Sequence, residues 1–572
     1  AYFLFANNKF DNDQIGEMRS LKSLDVRFNK LAFLPEEIGR LGSTLRILHL
    51  RGNVITQLPE SMGQLSNLEE LQLAHNELSS LPPSMGMMAC LHSLYLYQNK
   101  ITSLPSELGD LTNLRELDIS YNKLQSLPSN VNWYNLQALL AASNQITALD
   151  EGMFVHLTTL RHMALSYNKL VTVPQTITQL TNLNRLELNY NRLEDLPDMS
   201  SITRLSWLEL CCNRLHKVPD TVPTITNLCI LNLAGNYIVE IPASLATLTQ
   251  LQKLNLSYNR LRSLPPEVES WKGLIELHLD GNRFESIPLV VCKLYQLKDL
   301  SICNCTVSSI PPEISKLTSL QLLRASVNRI VSIPSEFCDL TSLSELDLSH
   351  NMLRSLPDAF ANLTRLTDID LSGNAIEVIP EQFGIAAKEL QQFKLSYNRL
   401  RCLPAFPEAK RKPWFSFSGN EVLSILYEKE IDEEKFLAKL DKLERKRAKK
   451  SSKLKAGSES DDGMSDTEVK KKLSDRRPNT LPPTTEEEDS SEERNQAFSD
   501  TLSDDPNIPG ARAINQPLRV SGNTVPSPPD TISTSPSSTS ESTPPRKDSN
   551  TKRTPKQSRR KLEKSGDDVK RP

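Results

Sequence analysis

The sequence predicts an α/β solenoid, a concave parallel β-sheet of about 19 strands with one strand per repeat, followed by a disordered tail. Three observations predict it. One short unit recurs across residues 1–420, as in LRELDISYNKLQSLPSNV (114–131), LQKLNLSYNRLRSLPPEV (251–268) and LSELDLSHNMLRSLPDAF (343–360). Its Asn returns at positions 8, 29, 53, 76, 99, 122, 144, 168, 191, 213, 236, 259 and 282, then Cys305 stands in its place, then Asn follows at 328, 351, 374, 398 and 420, mostly 23 residues apart. Beyond that point the composition turns too polar to bury a core.

The shared pattern is LxxLxLxxNxLxxLPxxh, with h apolar. Within it LxL alternates with a period of two, so its leucines share one face of a short strand, and parallel stacking of such strands builds a sheet. The Asn carries both an amide donor and a carbonyl acceptor, which suits it to bond turn backbone groups of its own unit and the next that would otherwise be buried unpaired. Cys305 fits the same slot but is a weaker partner, making NCTVSSIP an expected soft point of structural rather than redox character. After the strand, LPxxh turns the chain, and segments such as PSELGDLTNL (105–114) and PASLATLTQL (242–251) are expected to form short helical turns on the outer face. These are bulkier than a strand, so the stack should curve into a horseshoe with its sheet inside.

The pattern identifies the chain as a leucine-rich-repeat protein. The 23-residue unit with LPxxh resembles the intracellular Ras-scaffold group: the Shoc/Sur-8 scaffold, the Scribble and Erbin polarity proteins, and the repeat region of PH-domain leucine-rich-repeat phosphatases. That resemblance implies a docking platform that carries no chemistry and needs no cofactor, with a small GTPase or a protein phosphatase among the partners.

Composition narrows the function classes. The chain has 572 residues with 67 Lys plus Arg against 70 Asp plus Glu, a formal charge of −3, which gives no global attraction to nucleic acid. No apolar run is long enough to span a bilayer, so the protein reads as soluble and its solenoid as monomeric. All nine cysteines lie in the repeats and read as small buried thiols of a reducing compartment. A metal site from Cys211, Cys212, Cys303 and Cys305 would need ligands several repeats apart, so no metal is expected. Residue 1 is Ala and the first repeat is incomplete, which reads as a truncation. Sequons at Asn255, Asn304 and Asn362 would permit glycans on an extracellular protein, but flanking Cys caps are missing.

Residues between the inward leucines should face the concave side. Taken along the array they include Tyr95 and Tyr97, then Asp118, Leu140, then Arg185 and Glu187, then Trp207 and Glu209. An exposed Leu140 and Trp207 among small and charged neighbours have the composition of an interface hot spot. Farther on, Glu276, Asp280, Asp299, Glu345, Asp347, Asp368 and Asp370 form an acidic strip, with Arg324, Lys253 and Lys394 nearby, whose natural complement is a basic partner surface. Paired carboxylates such as Asp368 and Asp370 are the stuff of acid/base chemistry, but no nucleophile or metal-ligating His accompanies them, and no catalytic residue is assigned.

Residues 421–455 read as a C-terminal cap and charged amphipathic helix, with Val422, Leu423, Ile425 and Leu426 covering the last repeat. Residues 456–572 read as a disordered Ser/Thr/Pro-rich tail of alternating charge blocks. Lys446, Arg447, Lys449 and Lys450 resemble a nuclear-import signal and are equally suited to anionic lipid or to the solenoid's own acidic strip. In RRPNTLP, Arg477 and Pro482 around Thr480 resemble a 14-3-3 docking site, the phosphate supplying acceptor oxygens for an Arg cluster. Together these readings describe a non-enzymatic cytoplasmic scaffold or adaptor in signal transduction, with nuclear or peripheral-membrane locations open. The alternative is the regulatory repeat region of a larger signalling enzyme such as a leucine-rich-repeat phosphatase.

Overall fold

The structure, a computed structural model, describes residues 12–404 and 414–420. Within them run 18 strands of three residues each, from Ser23–Asp25 to Trp414–Ser416, forming one all-parallel sheet. Each strand between the first and the last pairs with those of the repeats before and after it, in a register that never slips: Leu48, Leu71, Leu94 and Leu117 follow one another as direct partners. The expected nineteenth unit, around Asn8, lies outside the described residues, as do the C-terminal cap, the import-like basic patch, the Thr480 motif and the tail.

In every strand but the last, Trp414–Ser416, the middle residue is buried, as are the flanking leucines, with Leu48, Leu94, Leu186 and Leu208 at 0% exposure. On the other side of this core the chain returns through 3-10 turns such as Ser106–Asp110 and Ala243–Thr247, each opened by the Pro of LPxxh in an extended conformation. The proline cannot donate to a further ladder, so the strand ends and the turn begins. Two bulky residues fill the turn layer, Trp133 and Trp271, and each donates its indole N–H to a carbonyl of the preceding repeat, Leu108 O at 3.0 Å and Leu245 O at 3.2 Å. Toward the C-terminal end aromatic rings replace leucines: Phe360 and Phe383 lie 5.1 Å apart between centroids, Phe383 and Phe393 5.8 Å, Phe393 and Phe415 6.2 Å.

The Asn ladder points backward rather than forward. Asn168 donates through Nδ2 to Leu165 O in its own unit and to Ala141 O in the preceding one, both at 3.0 Å, and its Oδ1 accepts the Ile146 N–H of that preceding unit at 3.0 Å. The expectation of bonds to the next unit is thus corrected. The Asn side chain reaches back because the turn it closes precedes it in the stack. At Cys305 the thiol offers a single proton, shared between Leu279 O at 3.1 Å and Cys303 O at 3.3 Å, and the sulfur faces the Asn282 N–H at 3.4 Å. Both of its neighbours, Asn304 and Thr306, have positive φ, whereas the other described units show one such residue each, immediately before the Asn. The irregularity expected there is present.

That left-handed residue is a feature the repeat pattern does not announce. Gly fills it in places, as at Gly281 (φ 64°), where a Cβ would sit 2.6 Å from the Tyr258 ring. Elsewhere it is Phe28, Tyr121, Tyr167, Tyr258 or Tyr397, whose rings stand along the rim of the open sheet face. Tyr167 and Tyr190 stack at 4.2 Å with 9° between planes.

Candidate protein-binding face

Strand register sorts the predicted residues into columns on the face opposite the leucines. Tyr95, Asp118, Leu140, Glu187 and Glu209 occupy one column, interrupted only by Ala164. Arg185 and Trp207 are direct partners in the column beside it. Tyr97 lies two residues past its strand, edge-on to His75 with centroids 5.2 Å apart and 5.5 Å from the guanidinium of Arg51.

At one end, the Tyr95 hydroxyl donates to Glu116 Oε2 at 2.5 Å, and burial together with this carboxylate pushes its pKa up. Burial likewise raises the carboxyl of Asp118, which accepts the Ser120 N–H at 3.0 Å. Leu140 is half-buried between Asp118 and the small Ala164, which corrects the expectation of an exposed apolar anchor: its neighbours in the sheet shield it.

At the other end the side chains form a connected cluster. Arg185 holds Glu187 Oε1 through Nε at 2.6 Å, His162 Nε2 meets the same oxygen at 2.8 Å, and the Arg185 guanidinium lies over the Trp207 ring, 3.9 Å from its centroid. Burial alone would raise the Glu187 carboxyl, but the His162 hydrogen bond and the Arg185 guanidinium prevail and hold it low. Trp207 is therefore half-buried under Arg185 rather than exposed. Its indole N–H donates to Glu209 Oε1 at 2.8 Å, while Glu209 Oε2 accepts from Asn232 Nδ2 at 2.7 Å and Asn189 Nδ2 at 3.3 Å. Glu209 is only 9% exposed and burial pushes its carboxyl up. It thus tethers the Trp207 indole within the cluster. Arg185 meets Glu187 only through Nε, and its side chain stays 37% exposed. His162, Asn189 and Asn232 complete the cluster. Only alignment of the columns across repeats identifies their part in it, since none belongs to a local motif.

The acidic strip is partly neutralised, because cations stand one register step from their carboxylates. Lys253 meets Glu276 at 2.7 Å, Arg324 meets Asp299 at 3.2 Å, and Lys394 meets Asp370 at 3.3 Å. Among the described residues no ion pair joins Glu345, Asp347 or Asp368 to a cation, although the Asp347 carboxylate accepts from the Ser349 N–H and hydroxyl. These carboxylates line a shallow depression of about 340 Å³, floored by Leu323, Leu346 and Ile369 and edged by Arg324 and Lys394. Among the described residues no group of three or more His, Cys, Asp or Glu is placed to hold a metal ion. Nor is any helix there long and apolar enough to cross a membrane. The cysteines are unpaired, but only four are buried: Cys90, Cys212, Cys229 and Cys303 are half-buried and Cys402 is exposed, because several occupy strand-edge and rim positions rather than the core.

Known proteins show the same repeat. A family model described as a leucine-rich repeat region matches residues 5–139 and 285–403, and a second, leucine rich repeat, matches 134–193 and 203–261. A leucine-rich-repeat protein of Leptospira interrogans is 35% identical with a TM-score of 0.59, over 64% of this chain and 93% of that one. YopM of Yersinia enterocolitica, 22% identical with a TM-score of 0.52 over 73% of this chain and 92% of its own, shares the fold. No curated protein gives a significant match. Repeats of this kind generally serve protein–protein interaction through the sheet face. With the strand ladder, the Asn column and these matches in agreement, the chain belongs to the leucine-rich-repeat family.

Proposed function

We propose that the protein is a non-enzymatic intracellular scaffold or adaptor in signal transduction whose open sheet face holds a protein partner at the Arg185–Trp207 cluster. The observation that carries the reading is the preorganisation of that cluster. Arg185 and Trp207 are both tethered to carboxylates, so a partner would meet a preordered guanidinium stacked on an aromatic ring, at little cost in side-chain ordering. The Nη pair suits a carboxylate and the indole an apolar group, while the depression at Glu345 and Asp368 suits a basic one. The resemblance to the Ras-scaffold group favours a small GTPase or a phosphatase among the partners and a cytoplasmic location. The basic patch from Lys446 to Lys450 would direct the chain to the nucleus or an anionic membrane. Phosphorylated Thr480 would recruit 14-3-3, an idea that fails if a phosphopeptide of residues 476–483 binds no better than its unmodified form.

The test of the main reading is affinity capture from cytosolic extract with the full chain and with an R185A/W207A/L140A variant of verified fold. Each captured protein is then purified and its direct binding to both chains measured. A partner should bind the wild type and lose at least tenfold with the variant, about 1.4 kcal/mol. Identical binding by both would remove the reading.

A further inference from the structure

Two thiols at the rim of the same face take no part in the binding cluster. Cys211 and Cys212 follow the strand Trp207–Glu209 after Leu210, and their sulfur atoms lie 3.1 Å apart, within about 1 Å of disulfide bonding distance. Cys212 has φ 55°, the left-handed conformation of the rim column. Cys211 is 3% exposed whereas Cys212 is half-buried, so a small reagent in solvent reaches Cys212 first. Cys211 is tied to the cluster through its backbone. The Cys211 N–H donates to Asn189 Oδ1 at 2.7 Å, and Asn189 in turn holds Glu209. The Cys211 carbonyl accepts the Tyr190 N–H at 2.8 Å and Asn213 Nδ2 at 3.3 Å.

We propose that Cys211 and Cys212 form a reversible oxidation site, at which a hydroperoxide closes a vicinal disulfide and thereby loosens the hydrogen bonds that hold Asn189 and Tyr190 at the edge of the binding cluster.

The step balances. The Cys212 sulfur attacks the distal oxygen of the hydroperoxide; the O–O bond breaks, the leaving oxygen departs with the thiol proton as an alcohol or water, and Cys212 becomes a sulfenic acid. The Cys211 sulfur then attacks the Cys212 sulfur; the S–S bond forms, the S–O bond breaks, and hydroxide leaves with the Cys211 proton as water. Two thiols have lost two electrons and the peroxide has gained them. The contact itself assigns these roles. Hydrogen bonds from Cys211 and then from Tyr190 hold the Cys212 thiol low despite its burial, while the same shared proton and burial push Cys211 up. Adjacent Cα atoms stand about 3.8 Å apart across a trans peptide, below the ~4.4–6.8 Å usual for disulfides, so the ring is strained and readily reduced. Its closure must turn the Cys211–Cys212 peptide, whose carbonyl is the one bonded to Tyr190 and Asn213.

That this matters for binding rests on the function proposed above; the chemistry does not. The full reduced chain is treated with hydrogen peroxide, its remaining thiols are alkylated, and the tryptic peptide LSWLELCCNR is mapped by mass spectrometry. The expected result is a peptide lighter by two hydrogens and refractory to alkylation, restored by dithiothreitol, at doses where C211S stops at a sulfenic acid trapped by dimedone. Hydrogen exchange at the Tyr190 amide should accelerate in the oxidised chain and stay unchanged in peroxide-treated C212S. A peptide that remains fully alkylated at doses that oxidise the exposed Cys402 would overturn the proposal, as would a disulfide that leaves Tyr190 exchange unaltered. Both readouts need no partner, so their failure leaves the binding function standing, and loss of that function leaves them interpretable.

Discussion

The guanidinium of Arg185 lies 3.9 Å from the centre of the Trp207 ring, and each of the two side chains is tethered to its own carboxylate, Glu187 and Glu209. The indole therefore has two roles that substitution can separate. W207A removes both the platform and the N–H, and should cost a partner about 2 kcal/mol, roughly thirtyfold. It should also lower stability by about 1–3 kcal/mol, because Glu209 Oε1 loses its donor inside the sheet. W207F keeps a ring under Arg185 without the N–H, so it should lose stability while retaining most of the affinity. Titration calorimetry and thermal melts on the two variants check this; equal affinity loss in both would show that binding depends on the N–H tether to Glu209 rather than on the ring.

Asn168 closes a turn with three bonds at 3.0 Å, two of them to the preceding repeat, where Cys305 has only a thiol proton to offer. N168A is expected to cost about 1–3 kcal/mol through unpaired backbone groups, and C305A distinctly less. Urea denaturation of both variants measures the difference. Equal losses would mean that the ladder's side-chain bonds are not what closes the turns.

Much of this fold was legible because it is written many times over. The LxL strands, the Asn column and the Pro that opens each outer turn repeat until chance is excluded, and the structure places them as expected. What single units could not disclose is what passes between units. The backward direction of the Asn bonds is one case. Another is the pairing of Lys253 with Glu276, one register step away, which neutralises one of the seven carboxylates of the strip. Half-burial of Leu140 and Trp207 likewise depends on lateral neighbours, Asp118 and Ala164 for one, Arg185 for the other. The left-handed rim residue escaped notice because Tyr, Phe, His and Val stand there as well as Gly, and none of these announces positive φ.

Val327 is the sharpest instance, a β-branched residue at φ 55° and 51% exposed, so it bears backbone strain with little packing to offset it. V327N should raise stability by about 0.5–1 kcal/mol, since Asn tolerates the left-handed region and does not enlarge the unfolded ensemble as Gly would. A melting temperature no higher than that of wild type would show that Val327 is held by contacts rather than tolerated.

Glu209 should give the stability a pH signature opposite to that of Glu187. Burial raises the folded pKa of Glu209 above its ordinary value of 4.5, so protonation favours the folded chain. Its contribution is full below that value and is lost as pH rises through the raised folded pKa. In Glu187 the folded pKa is depressed, so its contribution is present above 4.5 and lost as pH falls through the lower value. Melting curves of wild type and E209Q between about pH 4 and about pH 8 isolate the first effect, because the other carboxylates cancel in the difference. Wild type should lose stability relative to E209Q as pH rises from the ordinary value toward neutrality. A difference flat across that range would mean that Glu209 is solvated in both states.

Across the depression, like charges face one another: Glu345 is the direct register partner of Asp368, and Asp347 of Asp370. Lys394 relieves Asp370, but among the described residues no ion pair relieves Glu345 or Asp368. Directly opposed carboxylates destabilise a sheet by about 0.2–1 kcal/mol, a cost that a stacking array with no use for the charge could shed by one substitution. E345Q and D368N should therefore each raise the melting temperature, and added salt should shrink the gain by screening the repulsion in the wild type. The same substitutions should weaken binding of an oligolysine peptide at low ionic strength, which ties the repulsion to attraction for a basic surface. Variants that bind the peptide as wild type does, or that gain no stability, would show that the two carboxylates turn away from each other into solvent and that the depression recognises nothing by charge.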